Sequence, residues 1–222
     1  MCIRDSALAV IDQGMALVVR GRYLRVEGVA ANGFVQAALA LSQQIGAVLY
    51  FYLSSYAFGV VSAQPDLAAR RDYTRRQWIP FVSLAALACI AGSVLAPWLI
   101  ALLYAPSFAP ALPMLRWMLV GELARIASQA WALAALPSGG VRLWLPLMLA
   151  FPLTFGAAFA VLERIDVGLA SVSIAYALAG VVSLVATAAV MSRHGVTLAP
   201  RHVALLIAAL AAVAVLALGL PA

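Results

Sequence analysis

Residues 79–104 read IPFVSLAALACIAGSVLAPWLIALLY, a run of 26 residues with no charged side chain. As a helix it would rise about 39 Å at 1.5 Å per residue, more than the roughly 30 Å of a bilayer's hydrocarbon core. A barrel strand would instead alternate in polarity over about ten residues. Alanine and leucine dominate the run, and both favour helix. Inside lipid every backbone amide needs a partner, and a helix supplies it from within one segment. The stretch therefore predicts a transmembrane helix.

Working outward, six more apolar runs follow the same pattern: about Ala7 to Val19, Ala31 to Ser62, Met114 to Leu136, Leu143 to Leu162, Leu169 to Met191 and Val203 to Leu220. The breaks between them fall at RGRYLRVEG (Arg20 to Gly28), AQPDLAARRDYTRRQW (Ala63 to Trp78), APSFAPALP (Ala105 to Pro113), PSGG, ERIDVG and SRHGVTLAPRH. The expected fold is all-α, a polytopic transmembrane bundle of about six to seven spans. Its runs are rich in Gly, Ala and Ser, which lets helices approach closely in lipid. Prolines inside them (Pro97, Pro146, Pro152) predict kinks or breaks.

Composition agrees. Of 222 residues, 66% are apolar and 10% charged, with mean hydropathy +1.04. A soluble domain of this size needs a far more polar exterior. The net charge of +6 is carried by arginine, with no lysine. Because the arginines sit at loops and span ends, topology accounts for them and a nucleic-acid partner is not expected. Arg70, Arg71, Arg75 and Arg76, then Arg142, then Arg193 and Arg201 occupy alternate loops, which predicts that those loops are cytoplasmic. Arg20, Arg22 and Arg25 fall on the opposite side and are exceptions.

Residues 1–6, MCIRDS, resemble translated sequencing-adapter read-through and not a signal peptide. The first run is short for a span and contains Asp12 and Gln13. The expected organisation is residues 1–6 non-native, 7–200 a helix bundle whose first helix is truncated, and 201–222 an additional C-terminal helix. A short re-entrant or interfacial start is the alternative.

The fourth run, PMLRWMLVGELARIASQAW, places Arg116, Glu122 and Arg125 at or near hydrocarbon depth. Charges there face a cavity or pair with one another. Glu122 and Arg125 are three apart and share a helix face. They suit either a structural ion pair or a substrate or proton pathway, while Arg116 also suits snorkelling. Asp12 reads either as a coupling carboxylate or as a polar cap. Tyr50, Tyr52 and Tyr56, with Trp78, Trp98 and Trp144, look like interfacial aromatic anchors. No catalytic constellation, metal-ligand spacing or phosphate loop is present, so no enzyme, metal site or cofactor is expected.

Two stretches resemble a family. Val18 to Ser62 carries a basic helix end, a G-x-x-Q-A element (Gly33, Gln36, Ala37) and an L-S-x-Y element (Leu53, Ser54, Tyr56). Leu102 to Ile126 carries L-Y-x-x-x-F-x-x-A (Tyr104, Phe108, Ala111) and W-x-x-x-G-(D/E) (Trp117, Gly121, Glu122). These are similar to O-antigen and polysaccharide translocases of the multidrug, oligosaccharidyl-lipid and polysaccharide flippase superfamily. The resemblance implies the C-terminal bundle of a two-bundle fold in the bacterial inner membrane. Its partners would be a missing N-terminal bundle, membrane lipids and a lipid-linked oligosaccharide substrate moved by alternating access. It implies Arg20, Arg25, Gln36, Arg116 and Arg125 as substrate contacts, and Asp12 or Glu122 as a coupling or pairing carboxylate. The seventh run departs from the family pattern. A cation-coupled drug exporter of the same superfamily and a membrane enzyme of polysaccharide assembly are the competing readings.

Overall fold

The computed structural model describes the backbone of residues 3–134 and 136–219, and their side chains except at residues 3–9, 12, 136, 138–142 and 144. The fold is an all-α bundle, with no strand among the described residues. Its helices are α1 (Ile3–Tyr52), α2 (Phe58–Ser62), α3 (Leu67–Leu103), α4 (Ala111–Ala132), α5 (Leu136–Arg164), α6 (Ser171–Arg193) and α7 (Pro200–Gly219). One π-helical turn, Leu53–Ala57, joins α1 to α2. Five stretches are long and apolar enough to cross a membrane: Gln13–Ser62, Leu67–Leu103, Leu145–Arg164, Gly168–Arg193 and Pro200–Gly219. The chain is a membrane protein.

Of the expected break RGRYLRVEG, residues 20–27 are helical and only Gly28 departs, with a φ of 88° where side chains other than glycine's are strained. Here α1 folds back into two arms, so that the Arg20 guanidinium meets the side-chain oxygen of Gln36. On a straight helix those residues would lie about 24 Å apart.

Two expected loops are largely helical, and the helices are not interrupted at their prolines. Most of AQPDLAARRDYTRRQW is helical, because Asp66 caps α3 by accepting from the Ala69 amide at 2.8 Å and the Ala-, Leu- and Arg-rich residues beyond it propagate the helix. PSGG lies inside α5, which starts at Leu136. Helices α3 and α5 also run unbroken through Pro80 and Pro97 and through Pro146 and Pro152. Tertiary neighbours can hold a proline-containing membrane helix together although one backbone bond is lost.

The centre of the bundle is α4, packed by α1, α3, α6 and α7. Of its 22 residues, 18 are buried, so it is enclosed on every side. This is why α4 tolerates three charges that would be costly against lipid. At the contact with α6 the two backbones come close. A Cβ at Gly180 would lie 2.7 Å from the Gly121 Cα, and a Cβ at Gly121 would lie 2.6 Å from the Tyr176 carbonyl oxygen. Two turns further along, the hydroxyls of Ser128 and Thr187 are hydrogen-bonded at 2.7 Å. The α7 helix belongs to the same core: it packs on α3 and α4, with Leu206 and Val213 buried.

The two ends of the bundle differ. At one end the Arg75 guanidinium donates to the Thr197 carbonyl at 2.7 and 3.0 Å, and Trp131 Nε1 donates to the Val196 carbonyl at 3.1 Å. Gly195, at φ 70°, terminates α6 by donating to the Ser192 carbonyl while Val196 donates to that of Met191, a Schellman ending. At the other end Arg22 pairs with Glu163 at 2.7 Å and Tyr23 donates to the Leu169 carbonyl at 3.0 Å. Phe108 packs there edge-on against Phe34. The arginine-rich segments at residues 70–76 and 193–201 thus share one end, as the charge alternation requires.

Candidate functional site

Glu122 is the twelfth residue of α4, halfway along it, and is fully buried. The Tyr176 hydroxyl of α6 donates to its Oε2 at 2.6 Å. Arg125 lies one turn further along α4, and its Nη1 donates to the Tyr176 oxygen at 3.5 Å. Its guanidinium carbon lies 4.4 Å from the centre of the Phe151 ring of α5 and 5.6 Å from that of Tyr50 of α1. The Tyr176 ring meets Phe151 and Phe155 edge-on, at 5.0 and 5.8 Å between centroids. Gly46 of α1 closes the cluster, since a Cβ there would overlap the Glu122 carboxylate and reach 3.0 Å from the Tyr50 ring.

Three helices thus supply one cluster of a carboxylate, a guanidinium and two phenols, and α5 adds the Phe151 ring against it. Its hydrogen bonds and cation–π contacts offset the cost of holding charge away from water. Displacing any of α1, α4, α5 or α6 would disturb it, so the cluster registers the relative positions of all four.

A second feature lies on the surface. Gln36, Ala40, Gln43, Gln44, Ala47 and Phe51 recur at helical spacing on the second arm of α1, and Ser54 and Ser55 follow in the π-helical turn. Gln43, Gln44, Ser54, Ser55 and Tyr56 are exposed, interleaved with the exposed Val48 and Phe51. Gln43 and Gln44 are within one turn of Gly46, which touches Glu122, so they stand near the middle of the bundle's depth. Arg20 joins Gln36 at the far end of this stripe.

The expected site residues therefore divide. Arg125 and Glu122 share the cluster, bridged by the Tyr176 hydroxyl. Arg20 and Gln36 meet across the Gly28 turn. Arg116 is only 2% exposed, so it is enclosed by protein instead of snorkelling. Arg25 is exposed near the end of the first arm and joins neither group. The Asp12 side chain lies outside the described residues, as does that of Trp144.

Two aromatic anchors are corrected. Tyr50 faces the Glu122 cluster, not an interface. Trp78 is buried, with Nε1 donating to the Ala127 carbonyl at 3.4 Å and its ring beside His202. Trp98 and Tyr56 do remain exposed. Sequence reasoning missed Tyr176, Gly46 and Phe151. For Tyr176 a signal existed, because a tyrosine inside an apolar run must find a partner for its hydroxyl.

The two stretches that carry the family resemblance also pack together, through Phe34, Tyr104 and Phe108 and through Gly46 with Glu122. No family model matches the chain, and neither does any curated protein or solved structure. Fold and site together define a multi-helix membrane protein with a charged cluster enclosed at mid-bundle and a polar stripe on one outer face.

Proposed function

We propose that this chain forms the C-terminal bundle of a flippase that carries polyprenyl-diphosphate-linked oligosaccharide across the bacterial inner membrane. The observation that carries the reading is the exposed polar stripe of α1. Glutamines at the depth of Gln43 and Gln44 cannot face acyl chains without losing their hydrogen bonds, so a water-filled cavity or a second polar surface must lie against them. A second bundle facing this stripe would enclose such a cavity. Amides and hydroxyls along it suit sugar hydroxyls, and the Arg20 guanidinium suits a diphosphate through charge-assisted bonds. Rocking of one bundle against the other would expose the cavity to each face in turn.

The test is complementation. Arg20→Ala and Gln36→Ala are introduced into the gene in its native cell, and surface polysaccharide and leaflet-trapped lipid-linked precursor are measured. Loss of surface polysaccharide with accumulation of precursor is expected. Full export by the double variant would refute the assignment. The buried Glu122 favours a cation-coupled drug exporter as the second reading. That reading requires raised sensitivity to exported drugs in Glu122→Gln, with surface polysaccharide unchanged.

A further inference from the structure

The arginine-rich end of the bundle collects charge from three helices. Arg70, Arg71, Arg75 and Arg76 lie in the first three turns of α3, Arg193 ends α6 and Arg201 stands at the start of α7. Tertiary contacts bring them around the single loop 194–199. Arg75 holds the Thr197 carbonyl, the Arg71 guanidinium lies against Gly195, and the His202 ring contacts the Arg75 carbonyl. Asp66 and Asp72 are the acidic residues nearby in sequence, so six cations face two anions. The opposite end is nearly balanced: Arg20, Arg22, Arg25 and Arg164 stand against Glu27, Glu163 and Asp166.

Among the described residues none of the six arginines forms an ion pair, and the Nε atoms of Arg70 and Arg71 are buried without a hydrogen-bond partner. Arg76, Arg193 and Arg201 are exposed. An aromatic group of the kind found at a lipid interface lies beside them. Tyr52 stacks on Phe81 of α3 at 5.7 Å, and Tyr52 and Tyr56 are exposed as an aromatic pair, the arrangement that marks headgroup depth. Helix α3, with 37 residues, is about 55 Å long and overshoots the hydrocarbon core by roughly 25 Å. Its basic end therefore extends into the headgroup region.

We infer that this end is a binding site for an anionic phospholipid headgroup, built from Arg71, Arg76, Arg193 and Arg201 around the loop 194–199. The headgroup phosphate supplies acceptors to the exposed guanidiniums of Arg76, Arg193 and Arg201, and its acyl chains lie along the apolar flank of α3 and α7. The ligand belongs to the surrounding bilayer, so the inference does not depend on what the bundle transports.

The test measures association of spin-labelled phosphatidylglycerol and spin-labelled phosphatidylcholine with the chain in phosphatidylcholine vesicles. Phosphatidylglycerol should be preferred by about fivefold or more. Replacing the three exposed cations (Arg76→Gln, Arg193→Gln, Arg201→Gln) should bring the two lipids near parity. The matched variant Arg22→Gln, Arg25→Gln, Arg164→Gln removes the same charge from the opposite end and should keep the preference. Equal loss in both variants, or no preference in the unaltered chain, overturns the site. If the first variant does not fold, salt decides with the unaltered chain. Preference should fall sharply at 1 M salt, where screening acts within about 3 Å, and persistence there overturns the proposal.

Discussion

Gly180→Ala should be among the most damaging one-carbon changes in this protein. The added Cβ would stand 2.7 Å from the Gly121 Cα and 2.8 Å from its carbonyl carbon, where carbon atoms settle at about 3.5–4.0 Å. Both obstacles are backbone, so no rotamer change relieves them, and α4 and α6 must part locally by about 1 Å. A gap of that size forfeits a quarter to a half of each neighbouring contact, along a seam that also holds the 2.7 Å bond between Ser128 and Thr187. Overpacking of this kind costs about 1–3 kcal/mol, and the rigidity of both partners puts the expected loss at the upper end. The assay is reversible unfolding by sodium dodecyl sulfate in mixed micelles, followed by far-ultraviolet circular dichroism. Gly59→Ala is the control, because nothing lies within 4 Å of its added carbon, and it should be neutral or stabilising by up to about 1 kcal/mol. A Gly180→Ala protein within about 0.5 kcal/mol of the unaltered chain would refute the close backbone crossing.

Three more outcomes are expected. Tyr176→Phe removes the hydroxyl that joins Glu122 to Arg125 and should lower stability by about 1–3 kcal/mol in the same unfolding assay; no change would show that the bridge carries no energy. Trp78→Ala should cost about 3–5 kcal/mol, whereas Trp98→Ala, at a side chain 71% exposed, should stay within about 0.5 kcal/mol; equal effects would refute their different placement. In intact cells Ser107→Cys should react with a membrane-impermeant maleimide, while Arg76→Cys should react only after permeabilisation. The reverse pattern would invert the topology, and buried Cys89 should stay silent in both.

Much of the fold was legible in the sequence. The uncharged run at residues 79–104 specifies a membrane helix because lipid demands internal pairing of its amides. The glycine closing RGRYLRVEG marks a turn because φ near 88° is open to little else. Charge alternation grouped residues 70–76 with 193–201, and the structure places them at one end. Polar segments were less readable. Residues 67–78 and PSGG look like loops by polarity, yet Asp66 caps the first into α3 and the second lies within α5. Hydropathy reports what faces lipid and says little about where a helix stops beyond it.

The site divides along the same line. That Arg116, Glu122 and Arg125 lie in one membrane-depth helix follows from the apolar run that carries them, and Glu122 and Arg125, three apart, must share a face. What surrounds that face belongs to the tertiary structure. Gly46 and Tyr50 come from α1, Phe151 from α5 and Tyr176 from α6, and no local pattern encodes which helices meet. Arg20 reaches Gln36 because α1 folds back at Gly28, and α4 lies at the centre because Gly121 and Gly180 let two backbones touch. Local propensity and hydropathy act within a few turns of chain, so they determine the helices; the partners of each buried charge are set by packing between different helices, such as Glu122 with Tyr176 and Arg125 with Phe151.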